Sequence, residues 1–198
     1  KGLVAAGVGA ATGTSAYGFL YGRHRLGVTR ETIGVSGLPA GLGGLRIGLL
    51  TDIHRSRWVS HSDVRDAVTM LMAERPDLIV LGGDYVTRAD RQYVGPCAEA
   101  LAPLSAPNGV FAILGNHDDD HDMPAALARN GVQVLRDERT HLTINGEGVD
   151  LAGIRYWTRR PDAIASVVRG ATSPVVLLAH DPRRLTEAAA LNIPLVLS

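Results

Sequence analysis

Short aliphatic runs recur along the chain at residues 45–50, 78–81, 110–114, 175–178 and 195–197, separated by stretches whose apolar positions keep a helical spacing. Continuous apolar runs of this length, alternating with amphipathic helices, predict repeated strand–helix units and a largely parallel sheet. Between the first two runs, Val64, Val68, Leu71 and Met72 recur on one face of a helix that Ser62 is expected to cap and Pro76 to stop. Shorter helices are predicted at 97–104, 124–130, 161–169 and 183–191. Residues 132–135, 142–144 and 149–154 read as additional strands, the last two joined by a turn at Asn145-Gly146-Glu147-Gly148. A short alternating strand is expected around Thr32 to Val35, leading into a loop with five glycines (Gly34, Gly37, Gly41, Gly43, Gly44) and Pro39.

The N-terminal end has a different pattern. Residues 2–21 carry no charge and precede Arg23, His24 and Arg25. A run of about 20 uncharged residues has the length of a bilayer span, although Ala, Gly, Thr and Ser dominate here and large aliphatics are few. Residues 1–30 are therefore expected to form a signal-like or membrane-anchor segment with its linker, and residues 31–198 the domain. A retained anchor and an export-signal core are equal readings; a buried helix is disfavoured by the glycine content. The cations after the run would hold that side in the cytoplasm by the positive-inside rule, a count that upstream residues could reverse.

At 198 residues the chain has room for one α/β domain plus an appendage. Twenty Lys plus Arg balance twenty Asp plus Glu, and no basic stretch marks a nucleic-acid binder. Hydrophobic residues at 45% supply a sizeable core. The single Cys97 forms no intrachain disulfide and no Cys-based zinc site. Because Lys1 is the only lysine, a Walker A loop, a kinase phosphate-binding lysine and a pyridoxal Schiff base are all excluded. Neither an HExxH helix nor a GxSxG elbow is present, and Gly7-Val8-Gly9-Ala10-Ala11-Thr12 lacks the third glycine of a dinucleotide loop.

Candidate chemistry follows the strands. Thr51-Asp52-Ile53-His54 comes after the first run, Gly82-Gly83-Asp84 after the second, Gly115-Asn116-His117-Asp118 after the third, and Ala179-His180-Asp181 after the fourth. Carboxyl ends of strands form the ligand crevice of open α/β sheets, so residues far apart in sequence can converge there. Mixed Asp, His and Asn donors suit a hard-to-borderline divalent metal. In an extended segment Asp52 and His54 would face the same side while Ile53 packs inward. Asp84 could bridge two ions, Asn116 could ligate without adding charge, and the preceding glycines would let the backbone turn sharply. Two ions about 3.5–4 Å apart would clamp a phosphate and hold a hydroxide for in-line attack.

The ordered set D-x-H, G-D, G-N-H-D and a later isolated His resembles the calcineurin-like metallophosphoesterase superfamily, over nearly everything from Gly44 to Ser198. The phrase at residues 76–84 is most similar to bacterial phosphohydrolases with an N-terminal export signal or anchor. The resemblance implies an α/β sandwich of two β-sheets flanked by helices, and a phosphomonoester or phosphodiester hydrolysed by a metal-bridging hydroxide. It makes Asp52 and His54 ligands of one metal, Asp84 the bridge, and Asn116 and His180 ligands of the other. His117 would stabilise the transition state or protonate the leaving oxygen, with Asp118 orienting its ring. Two divalent or mixed-valence ions, Mn, Fe or Zn, would be the cofactors. The substrate range includes a lipid-linked or cell-envelope phosphoester, no nucleic acid is expected, and the location would be membrane-anchored or exported, on the extracytoplasmic face. The alternative is a catalytically inactive module that keeps the fold for binding or scaffolding.

Two departures stand out. The family closes its site with a G-H-x-H motif, which would begin at Leu197-Ser198; the chain reads as a C-terminally truncated fragment with five of seven ligands, expected to be weakly active. Arg155-Tyr156-Trp157 stands where that branch often has an acidic residue, which leaves substrate preference open. The acidic run Asp119, Asp120, His121 and Asp122 reads as a solvated loop, Trp58 and Trp157 as cleft lining or lids over the core, and His24, His61 and His141 show no partner pattern.

Overall fold

Every aliphatic run of the domain becomes a strand, but the strands divide between two sheets. The computed structural model describes residues 25–198. The chain separates into Lys1–Glu31 and Thr32–Ser198. The expected N-terminal segment falls mainly on residues 1–24 and lies outside the described residues. Among the described residues no helix is long and apolar enough to cross a membrane. Residues 32–35 are irregular and largely exposed instead of forming the expected strand. An isolated alternating stretch with no neighbour to hydrogen-bond has nothing to hold it extended.

The first sheet contains β1 (Ile47–Leu50), β2 (Leu78–Leu81), β3 (Val110–Ala112) and β4 (Gln133–Val134), all parallel and adjacent in that order. The crossovers carry α1 (His61–Ala73), α2 (Val94–Leu101) and α3 (Asp122–Ala128). The second sheet contains β5 (Glu138–Ile144), β6 (Glu147–Ile154), β7 (Val175–Ala179) and β8 (Leu195–Leu197). Its β5 and β6 form an antiparallel hairpin, whereas β6, β7 and β8 run parallel through α4 (Ala163–Val168) and α5 (Leu185–Ala190). The hairpin turns at Asn145 (φ 52°) and Gly146 (φ 82°), the paired left-handed residues that a two-residue type I′ turn requires.

Alternation within each strand decides which layer a side chain joins. In β2, Ile79 and Leu81 pack with α1, α2 and α3, while Leu78 and Val80 face the second sheet. In β6, Val149 and Leu151 meet the first sheet, and Ala152 and Ile154 pack toward α4. Three cores therefore separate four layers, helices–sheet–sheet–helices, as the resemblance implied. Gly153 permits the close contact between sheets. A Cβ there would stand 2.3 Å from Leu135 Cβ and 3.0 Å from Ile113 Cγ2.

Helix starts differ from the expected ones. Ser60, not Ser62, caps α1: its hydroxyl accepts from the Asp63 amide at 3.1 Å, and its own amide donates to the Asp63 carboxylate at 2.7 Å. This reciprocal box needs an acceptor three residues on, which Ser60 has in Asp63. Helices α2 and α3 begin before Pro96 and Pro124, because proline is tolerated in a first turn.

Candidate metal centre

The loops after β1 and β2 continue the strand pairing beyond the sheet. The amides of Asp52, His54 and Arg55 donate to the carbonyls of Gly83, Asp84 and Tyr85 at 3.0, 2.9 and 2.8 Å. Asp52 and His54 are not extended as expected: both are left-handed, with φ of 54° and 48°, as is Asp84 at 56°. Three non-glycine residues in this sparsely populated region mark a backbone held in place by its surroundings. Ile53 packs into the helix-side core as anticipated.

Glycine permits the close approach of neighbouring strand ends. At Gly83 (φ 101°) a Cβ would stand 2.5 Å from the Gly115 amide nitrogen; at Gly115 it would stand 2.2 Å from Asp84 Oδ1. The glycines thus let the ends of β2 and β3 touch each other, which places Asp84 beside the loop carrying Asn116 and His117.

Asp84 is the centre of the cluster. Its Oδ2 lies 3.3 Å from His54 Nε2 and 3.4 Å from His180 Nε2, and its Oδ1 accepts the His117 amide at 2.8 Å. Ligand atoms of Asp52, Asp84 and His180 all lie within 4.8 Å of one another. His180 Nδ1 meets the Gly82 carbonyl at 2.8 Å, so it donates there, and it is Nε2, facing the carboxylates, that can give up its proton and ligate. Asn116, from the end of β3, lines the same open cavity of about 580 Å³ as Asp52 and His180. All five expected ligands are therefore at one end of the sheets. Burial raises the Asp84 carboxyl, but hydrogen bonds from His180 and the His117 amide, with the charge of His180 and His54, bring it below its ordinary value. The adjacent Asp84 carboxylate pushes His180 up to about 9. The converging ligand atoms of Asp52, Asp84 and His180, with His54 Nε2 also 3.3 Å from Asp84, fit a divalent cation.

Asp118 has a different role from the expected one. Its buried carboxylate accepts from the amides of Asp84 (2.8 Å), Tyr85 (2.7 Å) and Gly115 (2.9 Å), and so organises the backbone under the centre instead of orienting the His117 ring. Burial pushes it up to about 6 despite these bonds. The His117 ring is oriented by the Arg88 amide, which donates to Nδ1 at 3.0 Å. A neutral ring held this way carries its proton on Nε2. It lies edge-on to His54, with centroids 4.9 Å apart.

The second sheet adds residues that sequence reasoning missed. Asp181, next to His180, is buried; its Oδ1 accepts from Arg183 Nε at 2.8 Å, and its Oδ2 from Arg183 Nη2 at 2.7 Å and Arg159 Nη1 at 3.3 Å. Those arginine bonds, chiefly from Arg183, keep its carboxyl well below the usual range. The Arg159 guanidinium lies 4.4 Å over the Tyr156 ring, which is edge-on to His180 at 5.9 Å. Position in the motif could have drawn attention to Asp181 and Arg183. Arg155 binds Asp137 at 2.8 Å and Asp120 at 2.6 Å, so acidic partners from two distant segments surround the cation at the departure point. Part of the 119–122 run is thereby ion-paired and not simply solvated, with Asp122 also 2.5 Å from Arg91. His141, assigned no partner from the sequence, sits 2.7 Å from the buried Asp150, its cross-strand neighbour. Trp58 and Trp157 are both partly exposed.

Comparison with known proteins agrees with this geometry. The sequence pattern of the calcineurin-like phosphoesterase family matches residues 45–190. The chain is 31% identical over 146 residues to phosphodiesterase YaeI of Escherichia coli (strain K12), covering 69% of this chain and 53% of that protein. It is also 31% identical over 201 residues to a transmembrane protein with metallophosphoesterase domain of Danio rerio, covering 92% of this chain and 46% of that one. The chain thus spans about half the length of these curated relatives. The solved NAD nucleotidase NadN of Haemophilus influenzae shares the fold, with a TM-score of 0.53 at 16% identity over 73% of this chain and 36% of its own. With the family pattern covering most of the chain and its motif residues gathered at one end of a two-sheet sandwich, this protein belongs to the calcineurin-like phosphoesterase family.

Proposed function

We propose that the protein is a metal-dependent phosphoesterase that hydrolyses a phosphodiester. The observation that carries this reading is Asp84 Oδ2 placed between two imidazole Nε2 atoms, 3.3 and 3.4 Å away, with Asp52 alongside. Asp52, His54, Asp84, Asn116 and His180 would hold two divalent ions, with Asp84 shared and manganese, iron or zinc suited to the nitrogen and oxygen donors. Bound divalent cations supply Lewis acidity, polarising a phosphoryl oxygen and lowering the pKa of water.

The residues of the chain provide the rest. His117 holds a proton on Nε2 because its Nδ1 accepts from Arg88, and it stands beside His54 at the edge of the cluster. From there it would donate that proton to the leaving oxygen, a contribution of about 10²–10⁴-fold. Asp118 keeps the two loops that carry Asp84 and His117 in register through their backbone amides. Asn116 would ligate without adding negative charge, which would keep the site attractive to an anionic ester. A membrane-associated or exported location is the reading supported by the uncharged run at residues 2–21, together with the transmembrane relative; cell fractionation tests it.

The test measures metal retained after dialysis and turnover of bis(p-nitrophenyl) phosphate with added manganese. Bound metal and turnover are expected, with Asp84→Asn losing at least about 100-fold in both. His117→Ala should lower turnover while keeping the metal. Metal retention without turnover on any phosphomonoester or phosphodiester would favour a binding module and overturn the enzymatic reading.

A further inference from the structure

The geometry points to a second anion-binding subsite beside the metal centre, built from Arg183 and Arg159 on Asp181, which selects phosphoesters carrying a second phosphoryl group next to the scissile one. This inference rests on the phosphoesterase reading above and specifies its substrate class as a diphosphate-linked diester.

Four observations support it. Arg183 and Tyr156 line the same cavity as Asp52, Asn116 and His180, so a ligand held at the metal centre lies within the space that Arg183 borders. Arg183 is held in a fork: Nε and Nη2 donate to the two oxygens of the buried Asp181 carboxylate. A guanidinium has five N–H donors, so the two on Asp181 and the contact with the Tyr156 hydroxyl still leave donors for another anion. Arg159 is fixed in two ways, by its bond to the same carboxylate and by stacking over Tyr156. Immobilising both side chains before the ligand arrives removes much of the entropy cost of ordering them.

Charge supports the same conclusion. Two guanidiniums against the single Asp181 carboxylate leave one net positive charge at the rim. Nothing in the metal cluster uses that charge, since the cluster's own acids are Asp52 and Asp84. Planar forks of this kind match phosphate oxygens bidentately, as a lysine ammonium does not, and lysine is absent from the domain altogether. A simple structural clamp would need only one arginine on Asp181. The second, stacked on the Tyr156 ring that lies edge-on to His180, adds a further donor set behind the Tyr156 and Asp181 side of the cavity.

The test compares binding of P1,P2-dimethyl diphosphate, dimethyl phosphate and monomethyl phosphate to the manganese-loaded protein by calorimetry, and follows turnover of each by phosphorus NMR. The diphosphate is expected to bind about tenfold or more tighter than either single-phosphate compound, the scale of a charge-assisted hydrogen bond. Arg183→Gln and Arg159→Gln should each shrink that ratio towards one while remaining folded by circular dichroism. Monomethyl phosphate matches the diphosphate in charge, so equal binding of the two would show simple charge attraction and overturn the subsite. A ratio that survives Arg183→Gln would overturn it as well. Selective binding with no turnover of any ester would retain the subsite and reject the enzymatic reading; turnover with no selectivity would do the reverse.

Discussion

The two walls of the cavity are held in position by different means. On the first sheet, backbone geometry does the work: left-handed Asp52, His54 and Asp84, the Gly83–Gly115 contact, and three amides on the buried Asp118 carboxylate. On the second sheet, side chains do it, through Arg155 on Asp137 and Asp120, and through Arg183 and Arg159 on Asp181. Backbone-held ligands have almost no freedom to move, which suits a metal centre whose distances must hold within a few tenths of an ångström. Partly exposed ion pairs contribute less to stability than buried backbone contacts, so residues on this wall can be replaced at smaller cost to the fold.

Substitutions test this contrast. The largest effect is expected from Gly115→Ala, because the new Cβ would fall 2.2 Å from Asp84 Oδ1 and 2.6 Å from the Asp84 amide. Overpacking against backbone of this kind costs about 1–3 kcal/mol and should also displace Asp84. Urea unfolding and metal content report the two effects, and an unchanged midpoint with full metal would show that the strand ends are not tightly held.

Asp118→Asn comes next. The amide keeps the shape but loses one acceptor oxygen facing the Asp84, Tyr85 and Gly115 amides, so stability should fall by about 1–3 kcal/mol. If Asp118 instead oriented His117, turnover would fall without a loss of stability.

A pH series addresses the other wall at His180. Its folded pKa of about 9 lies above its ordinary 6.5, so in metal-free protein this group stabilises the fold fully below pH 6.5, and the contribution disappears as pH rises through 9. A bound cation takes the place of that proton. Metal affinity should therefore rise by up to about tenfold per pH unit below 9, and the melting temperature of loaded protein should lose the alkaline decline. Calorimetric titration with manganese between pH 6 and 8 measures the slope.

Arg155→Gln should have the smallest effect, about 0.5–1 kcal/mol, because the pair is partly exposed. Burial raises Asp137, but Thr158 and Arg155 more than offset this and hold it below its ordinary 3.8. Its stabilisation is therefore present above pH 3.8 and lost as the pH falls further, and the variant should show a weaker acid transition. A loss as large as that of Gly115→Ala would remove the distinction between the two walls.

Much of this arrangement is legible along the chain, for identifiable reasons. Runs such as Leu78–Leu81 are buried on both faces, and that environment leaves a continuous aliphatic signature. The residue after each run was identifiable as a ligand candidate because a parallel strand must end at the crevice, whatever its neighbours are. The Asn145-Gly146 turn was readable because few residues accept two successive positive φ values. The His141–Asp150 pair and the acids around Arg155 were not readable, since each depends on cross-strand register or on loops brought together from distant segments.

Local chemistry in the sequence therefore determined the strands, their order of chemical endings and the donor types of the centre. Tertiary structure alone decided how the strands divide between two sheets, because a buried strand looks the same whichever sheet it joins. It also decided that Asp118 supports backbone while Arg88 orients His117, because a carboxylate bonds whichever amides the fold brings within 3 Å. The left-handed turns at Asp52, His54 and Asp84 follow the same logic. No residue type at those positions requires such a conformation; the amide ladder between the β1 and β2 loops and the Asp118 carboxylate on the Asp84 amide hold it.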